Sequence, residues 1–382
     1  AARRAALGAG ARLVGAFAYR LTMGDIEAIR GLAPDILLLA GGTDGGNSEV
    51  VLANARRIGA SDLACPIVYA GNRDVVEEVC AALGEKTVIV TANVMPEFNV
   101  LEIEPARAAI RQVFIDRIVH AKGIDRAAAE FDAVLMPTPA AVLEGARLVA
   151  DGIEGRSGLG TVMVIDPGGA TTDVHSVAAG APAPGVVPQG LPEPRVKRTV
   201  EGDLGMRRNA AAIVEAAGLQ WIAAAARLAE ARVCELVTEI AQNVGRLPQS
   251  EAEFALDAAL ARAAVRLAVT RHCGTVETVY TVAGPVTVQH GKDLSHVDAV
   301  IGTGGAIVSS PDPRGVLETA LADPAEPLSL KPTAPRLLLD ADYLLYACGL
   351  LSTVEPQAAL ELALTNLRAL DQEKPHERAR CA

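Results

Sequence analysis

The sequence predicts an α/β protein built from two halves, with a helical insertion in the second half. Three observations support this fold class. Short apolar runs alternate with amphipathic stretches over residues 31–160, an apolar hairpin pattern follows at 162–177, and an Ala-rich stretch with helical period occupies about 205–273. The 382 residues, 50% of them hydrophobic, are enough for two cores. We place the first half at 1–157 and the second at 158–382.

The first half is predicted to contain parallel strands joined by helices. Branched aliphatic residues form short runs typical of buried strands, and the segments between them carry apolar residues at helical spacing. This alternation is typical of βαβ units. The predicted strands are 35–40, 66–70, 87–92 and 132–136, and the predicted helices are 47–60, 72–83, 104–122 and 139–151.

A Gly-rich turn, GGTDGGN at 41–47, follows the first of these strands. A helix is predicted just after it, and the amides of a helix N-terminus can bind an anion. Two interpretations stay open with equal weight. The turn is either a loop for a ligand or partner, in which Asp44 and Asn47 act, or a strand-to-helix connection whose glycines serve the backbone alone.

The most specific pattern is VMVIDPGGATTDVHSV at 162–177. An apolar strand brings Asp166 to Gly168 and Gly169, which sit at the predicted turn. Glycine there permits positive φ and lets backbone N–H groups approach an anion closely. Asp166 would repel a bare phosphate, so a divalent cation or an attacking water is expected between them.

Polar residues after the glycines strengthen the prediction of a phosphate site. The hydroxyls of Thr171 and Thr172 are further potential donors, and Asp173 adds a second carboxylate. A Gly-Gly pair alone is more often an ordinary hairpin turn. The flanking aspartates and threonines instead favour a metal-bound nucleotide as the ligand.

DPGGATTDV resembles the second phosphate loop of the actin-like ATPase superfamily, Asp-x-Gly-Gly-x-Thr-x-Asp-Val. The same superfamily covers adenosine with a strand and a Gly-rich turn, to which VDAVIGTGGAIV at 297–308 is similar. The resemblance implies two ribonuclease H-like halves around a nucleotide cleft, with ATP and Mg²⁺ as cofactors. Asp166 would hold the magnesium, directly or through water. The matching positions are Asp166, Gly168, Gly169, Thr171, Asp173 and Val174 in the loop, and Gly302, Thr303, Gly304 and Gly305 in the turn.

Further segments resemble one branch of that superfamily, the MutL family of glutamate mutase accessory proteins, over nearly the whole chain. The resemblance implies an ATP-dependent reactivating chaperone. It would bind the subunits of an adenosylcobalamin-dependent amino acid mutase and release damaged cobalamin from them. The segments are LLLAGGTDGGN at 37–47, RTVEGDLGMRRNA at 198–210, RHCGT at 271–275 and LLLDADYLLYACGLLS at 337–352.

Two other functions remain open. The same fold supports small-molecule kinases, since the loop alone does not separate transfer to water from transfer to a hydroxyl. A nucleotide-independent structural partner of a mutase complex is the other alternative. It gains support because a first phosphate loop of the form Asp-x-Gly-Ser/Thr is absent before residue 41. The chain also begins without Met. We therefore expect an N-terminally truncated chain that hydrolyses ATP slowly or not at all.

The Pro/Gly-rich stretch 178–204 is predicted to be an exposed excursion. Its basic residues are most simply interpreted as part of a solvated loop. Arg271 and His272 lie at the end of a predicted helix, where both can cap it and compensate its dipole, and this is the favoured interpretation for His272. The basic residues of the stretch are Arg195, Lys197 and Arg198. Arg207 and Arg208 are candidates to contact a phosphate, and His175 is a candidate to line the cleft.

The last third is predicted to run strand, Gly-rich turn and helix, and then strand and helix again. The helical insertion before it should break near Pro248, with Ser250 beginning the next helix. The predicted elements are a strand at 297–301, the turn at 302–305, a helix at 313–321, a Pro-rich linker at 324–335, a strand at 336–339 and a helix from 341.

Composition excludes several classes of function. Aromatic residues make up 3% of the chain and the net charge is −11, so nucleic acid is not expected as a partner. The most membrane-like stretch, 219–237, is interrupted by four charged residues. Six cysteines without a CxxC pair suit free thiols in a reducing compartment, so we expect a cytoplasmic protein. Self-association into a homo-oligomer stays open.

Overall fold

The structure, a computed structural model, describes residues 1–9, 11, 13–113, 136–282 and 284–370. Within these residues it is a mixed α/β protein with four β-sheets. The predicted α/β class is therefore confirmed.

The chain divides into two compact units, each assembled from three separate stretches. The sequence predicts a single boundary between residues 157 and 158, whereas the chain passes from one unit to the other at all five junctions between these stretches. The first unit contains Ala1–Glu144, Pro182–Val200 and Thr278–Gly291, and the second contains Gly145–Ala181, Glu201–Glu277 and Lys292–Ala382.

The first unit contains a three-stranded parallel sheet. Each strand lies inside one of the first three predicted strands, which are therefore confirmed. The fourth, predicted at 132–136, lies outside the described residues except for Met136. In their spatial order the strands are β1 (Leu37–Leu39), β2 (Ile67–Tyr69) and β3 (Val88–Val90).

The helices of this part of the chain follow the predicted amphipathic spacing. In one of them, Val51 and Ile58 are buried in the same core cluster as Tyr69 of β2. The helix predicted at 104–122 is confirmed as far as Val113, where the described residues stop. The helices are α1 (Ala2–Gly8), α2 (Met23–Leu32), α3 (Glu49–Gly59), α4 (Val76–Leu83), α5 (Glu104–Val113) and α6 (Thr138–Asp151).

Two antiparallel hairpins follow. The first is short and joins β4 (Gly152–Ile153) to β5 (Arg156–Ser157). The second is the hairpin predicted at 162–177, which is confirmed: β6 (Val162–Pro167) pairs with β7 (Thr172–Val177) along its whole length. The first four residues of β6 are buried, as a continuous apolar run requires. All six residues of β7 are buried as well, although four of them are polar.

The interpretation of the basic cluster as a solvated loop is wrong for two of its three residues. Arg198 is 4% exposed, and its guanidinium donates to the carbonyl of Leu7 at the end of α1, 2.8 Å away. Carbonyls at a helix C-terminus attract cations. Lys197 pairs with Glu193 at 3.2 Å, and only Arg195 is exposed. The stretch also supplies β8 (Val187–Gln189) and β9 (Val196–Glu201).

The helical insertion is confirmed. Its last and longest helix begins after Ser250, whose hydroxyl accepts the N–H of Glu253 while the Glu253 carboxylate accepts the N–H of Ser250. This reciprocal capping box is the start signal that the sequence carries. Ten of the 22 residues of that helix are buried. The helices are α7 (Ala210–Ala217), α8 (Leu219–Ala226), α9 (Glu230–Gln242) and α10 (Glu251–His272).

The last third contains the predicted strands and helices and also a hairpin that was not predicted. The hairpin at 275–290 escaped prediction because nearly every residue of its first strand is exposed, so its apolar residues mark no buried face. The elements are β10 (Thr275–Thr281), β11 (Gly284–His290), β12 (Ala299–Gly302), α11 (Gly305–Val308), α12 (Pro313–Leu317), β13 (Arg336–Asp340), α13 (Leu345–Leu351), α14 (Pro356–Asn366) and β14 (Leu367–Ala369).

The sheet of the second unit positions the candidate site. Five of its six strands run in the spatial order β14, β13, β12, β6, β7. β6, β12 and β13 are mutually parallel, whereas β14 is antiparallel to β13 and β7 is antiparallel to β6. The three parallel strands therefore end at the same edge of the sheet.

Candidate functional site

Four polar residues lie side by side where the parallel strands of the second unit end. The registers pair Gly302 of β12 with Ile165 on one side and with Leu339 on the other. The residues that come next in each strand therefore meet at the carboxyl edge, where open α/β sheets bind ligands. We call them the polar row; across the sheet they are Asp340, Thr303, Asp166 and Asp173.

The Gly-rich turn after β12 packs directly against Asp166. The N–H of Thr303 donates to the carbonyl of Ile165 at 3.0 Å. Gly304 has a φ of +81°, and a Cβ at this position would collide with the Asp166 carboxylate. Both facts require glycine at 304. The structure thus brings the predicted magnesium residue and the predicted adenosine turn together in one unit.

The turn between β6 and β7 is held in place by the segment that precedes α7. The carbonyls of Gly168 and Gly169 accept hydrogen bonds from the N–H groups of residues 206–208, at 2.9 to 3.0 Å. A Cβ on Gly205 would collide with the backbone of Ala170, so this segment approaches the turn as closely as backbone allows. The turn is therefore rigidly supported on its carbonyl side.

Neither Gly168 nor Gly169 has the positive φ that the sequence predicts. Gly168 donates its N–H to the carbonyl of Thr171 at 2.8 Å, and a Cβ on it would lie 3.1 Å from that oxygen. Among the described residues, the N–H groups of Gly169 and Ala170 have no protein acceptor. Glycine here serves close approach rather than left-handed backbone, and donors without acceptors are what an anion needs.

The two threonines of the turn face different ways. Thr172 is completely buried and donates its hydroxyl to the carbonyl of Leu204 at 2.6 Å. Thr171 is partly exposed and donates to Asp173 at 3.0 Å. In this conformation Thr171 is the hydroxyl near solvent, whereas Thr172 fastens the turn to the rest of the unit.

Of the four residues in the predicted adenosine turn, only Gly305 is exposed; Gly302, Thr303 and Gly304 are buried. The Thr303 hydroxyl points along the polar row and donates to the Asp340 carboxylate at 2.7 Å. A ligand at this edge would therefore meet Gly305 and the backbone of the turn rather than the Thr303 side chain.

Sequence reasoning missed Asp340 and Tyr343. Both lie in LLLDADYLLYACGLLS, where an apolar strand ends in Asp just as VMVID does, and that shared signal could have found Asp340. Tyr343 is 38% exposed and has a φ of +55°. Burial first, and then the charge of Asp166, raise the pKa of its phenol to about 12. Tyr343 thus stands beside the polar row as a neutral phenol.

The two phosphate candidates beside the turn have different surroundings. Arg207 forms a two-pronged ion pair with Asp257 of α10, one arm of it at 2.6 Å. This pairing raises the pKa of the Arg207 guanidinium. Arg208 is exposed, and within the described residues it has no recorded partner. The backbone N–H of Arg208 donates to the carbonyl of Gly169, which fixes this residue next to the turn. Its exposed guanidinium is therefore a cation available to an anion at the turn.

A sequence model of the family described as MutL protein matches residues 1–367 of the chain. The chain belongs to the MutL family. Over 372 residues it is also 44% identical to Protein MutL of Clostridium tetanomorphum, an alignment that covers 95% of this chain and 79% of that protein. The resemblance drawn from the sequence segments is therefore confirmed.

In this MutL-family chain the GGTDGGN turn belongs to the first unit and follows β1. Asp44 accepts hydrogen bonds from the N–H of Arg73 at 3.0 Å and from the side chain of Asn93 at 2.9 Å. The side chain of Asn72 bonds the backbone of Gly45 and Gly46. Asp44 is thus held by groups that follow β2 and β3.

Asn47 is exposed, and its carbonyl lies so close to Gly42 that a Cβ there would collide with it. Gly42 also has a φ of +72°. Backbone geometry therefore explains why residue 42 is a glycine. The choice between a ligand loop and a structural connection remains a prediction.

His272 lies in the last turn of α10, at the helix end where the sequence places it. His272 is completely buried, and its Nε2 lies 2.8 Å from the Ser176 hydroxyl, which also accepts from Lys292 at 3.1 Å. Arg271 pairs with Asp203 rather than with the helix end. His175 is completely buried too, so it does not line an open surface.

No cluster of three or more His, Cys, Asp or Glu side chains among the described residues is arranged to hold a metal ion. In the part of the chain that the structure describes, no helix is both long enough and apolar enough to cross a membrane.

Proposed function

We propose that this chain is an ATP-dependent accessory protein that reactivates an adenosylcobalamin-dependent amino acid mutase, with glutamate mutase the first candidate. The observation that carries the nucleotide site is the contact of Gly304 with Asp166, which joins the two motifs of the actin-like ATPase pattern at one sheet edge. Membership of the MutL family supports the mutase as partner.

The residues present fit Mg-ATP. The N–H groups of Gly169 and Ala170 and the hydroxyl of Thr171 would hold the β- and γ-phosphates, with Arg208 as a nearby cation. Asp166 and Asp173 are opposite each other in the hairpin, so two carboxylates there favour a cation over bare phosphate. Magnesium would offset phosphate charge, and Asp166 would orient the ion or the attacking water.

The proposed coupling requires that nucleotide binding change the affinity for the mutase. A ligand shifts a conformational equilibrium only by its differential affinity for the two states. ATP and the mutase would therefore influence each other's binding reciprocally. We place this cycle in the cytoplasm, with an actin-like arrangement of two halves, and with self-association as a further possibility to be measured.

The test uses Asp166→Asn in the full chain, with Asp62→Asn as control, because Asp62 is an exposed partner of Arg30 in the first unit. Calorimetry with Mg-ATP, phosphate release and recovery of cyanocobalamin-inactivated glutamate mutase are measured. We expect Asp166→Asn to keep binding within tenfold and to lower turnover about 100-fold, with recovery lost, whereas the control behaves as wild type.

Unchanged turnover and recovery in Asp166→Asn would contradict the proposal. Two further results would favour the alternatives. ATP consumption that depends on an added sugar or carboxylate indicates a small-molecule kinase. Mutase binding that ATP does not alter, in a chain without calorimetric nucleotide binding, indicates a structural partner.

A further inference from the structure

Asp340 is a completely buried carboxylate whose two oxygens each accept two hydrogen bonds. Oδ1 accepts the N–H of Leu344 at 2.9 Å and the side-chain amide of Asn366. Oδ2 accepts the hydroxyl of Thr303 at 2.7 Å and the N–H of Leu345 at 3.1 Å. These donors come from three places in the chain: the turn after β12, the start of α13 and the end of α14.

Starting α13 alone would not require this arrangement. A serine or threonine hydroxyl caps a helix equally well and avoids the free-energy cost of burying a carboxylate. Among the described residues, the recorded donors to Asp340 are all neutral. The bond to Thr303 is the one that reaches the candidate nucleotide site, and Thr303 is itself 1% exposed.

We propose that Asp340 is a positioning residue for the nucleotide turn. Its bond fixes the Thr303 side chain, and Thr303 in turn anchors the backbone that seats Gly304 against Asp166. The inference rests on the proposed function, since it assigns Asp340 to the same site. It adds that the C-terminal strand and helices build that site, although they carry none of the phosphate-loop residues.

The chain provides a matched control. Thr161 and Asp298 form a Thr–Asp hydrogen bond of 2.7 Å at the opposite end of the same two strands, β6 and β12. Asp298→Asn alters a threonine–carboxylate bond between the residues that precede β6 and β12, and these residues lie far from the polar row in register. Asp298→Asn therefore reports what the loss of such a pair does when the turn is untouched.

The experiment measures the Kd of Mg-ATP by calorimetry, and KM and kcat, for Thr303→Val, Thr303→Ser, Asp340→Asn and the Val/Asn double variant of the full chain. We expect Thr303→Val and Asp340→Asn each to raise Kd and KM about tenfold with kcat within about twofold, a loss equal to one good hydrogen bond. Thr303→Ser restores wild-type values, and Asp298→Asn stays within twofold.

The double variant decides whether Asp340 acts through Thr303. We expect it to bind ATP no more weakly than Asp340→Asn alone, since coupled residues are not additive. Fully additive losses, or a Thr303→Val variant with wild-type Kd, overturn the inference and leave the proposed function intact. A wild-type chain that binds no nucleotide overturns the proposed function and this inference together. If Asp340→Asn does not fold, the Val and Ser variants at 303 decide the matter.

Discussion

At the residue scale, adjacent positions of one segment do different work. Arg207 and Arg208 both bond Gly169 through their backbone, yet one side chain is paired inside the unit and the other is exposed. Pairing decides this difference, because a partly buried guanidinium without its carboxylate would be left desolvated. A basic dipeptide beside a phosphate turn is thus one structural residue and one candidate contact.

This difference predicts opposite phenotypes. Arg207→Gln strands Asp257 and should lower the free energy of unfolding by about 1–3 kcal/mol. Arg208→Gln should change it by less than about 0.5 kcal/mol but should weaken Mg-ATP binding several-fold. Urea unfolding and calorimetry on both variants check this. Equal stability of the two variants would contradict the pairing seen for Arg207.

Gly304 supports a second prediction at this scale. Gly304→Ala should destabilise the chain by at least about 1 kcal/mol more than Gly218→Ala does. Gly218 also has a positive φ, +91°, but a Cβ there meets nothing within 4 Å. The control therefore carries the backbone strain alone, and the difference in urea unfolding measures the collision with Asp166. If both variants lose the same stability, that collision is relieved by movement.

Much of the candidate site could be predicted because its chemistry lies in contiguous motifs. Asp166 and the glycines of both turns were found from local pattern. Asp340 was not, because its role depends on the register of β13 against β12, and local sequence patterns do not reveal which strands become neighbours. The burial of Thr172 and His272 was missed for the same reason: their partners Leu204 and Ser176 are distant in sequence.

At the element scale, α10 begins with a cap that is recognisable in the sequence. The Ser250–Glu253 capping box lies at the N-terminus of this helix, the longest of the second unit. Hydrogen bonds from the N–H of Gln249 first, and then of Ser250, lower the pKa of the Glu253 carboxyl. A carboxyl with a lowered folded pKa stabilises the native state above its unfolded pKa and loses this effect as pH falls through the folded value.

Ser250→Ala should therefore cost about 1 kcal/mol at pH 7. The stability difference between wild type and Glu253→Gln should shrink as pH drops from about 6 to below the ordinary Glu value near 4. Thr238→Ala, which removes a mid-helix hydroxyl bonded only to the Cys234 carbonyl, is the matched control. Denaturant titrations across this pH range measure both effects. A constant difference for Glu253→Gln would show that its charge plays no part.

Elements with strong periodicity and clear end signals could be predicted, and weakly patterned ones could not. The parallel strands β1, β2 and β3, the β6–β7 hairpin and the helical insertion were all predicted. The 275–290 hairpin was not, because Tyr280 and Val282 are exposed and its strands show no apolar face. The prediction failed for a physical reason, because apolar and polar residues alternate along a strand only when one of its faces is buried.

At the scale of the whole molecule, each compact unit is assembled from stretches that are far apart in the sequence. The first unit depends on Pro182–Val200 and Thr278–Gly291. Arg4 pairs with Glu193 at 2.6 Å, and Arg198 holds the end of α1. A fragment that ends at residue 157 lacks all of these partners.

We therefore expect fragment 1–157 alone to unfold without a cooperative transition. As control, a protease site inserted between residues 157 and 158 is cut after the full chain has folded, so that both later stretches remain present. The cut protein should keep the circular dichroism and the cooperative melt of the intact chain. A cooperative melt for the isolated fragment would contradict the division into discontinuous units.

The late position of Thr278–Gly291 also affects how the protein is made. A ribosome adds about 5–20 residues per second, so the 147 residues from Glu144 to Gly291 take about 7–30 s to synthesise. For that time the nascent first unit lacks β11, so β8 has not yet met the strand with which it pairs in parallel. Slower translation over this interval should therefore lengthen the time for which β8 has an unpaired strand edge.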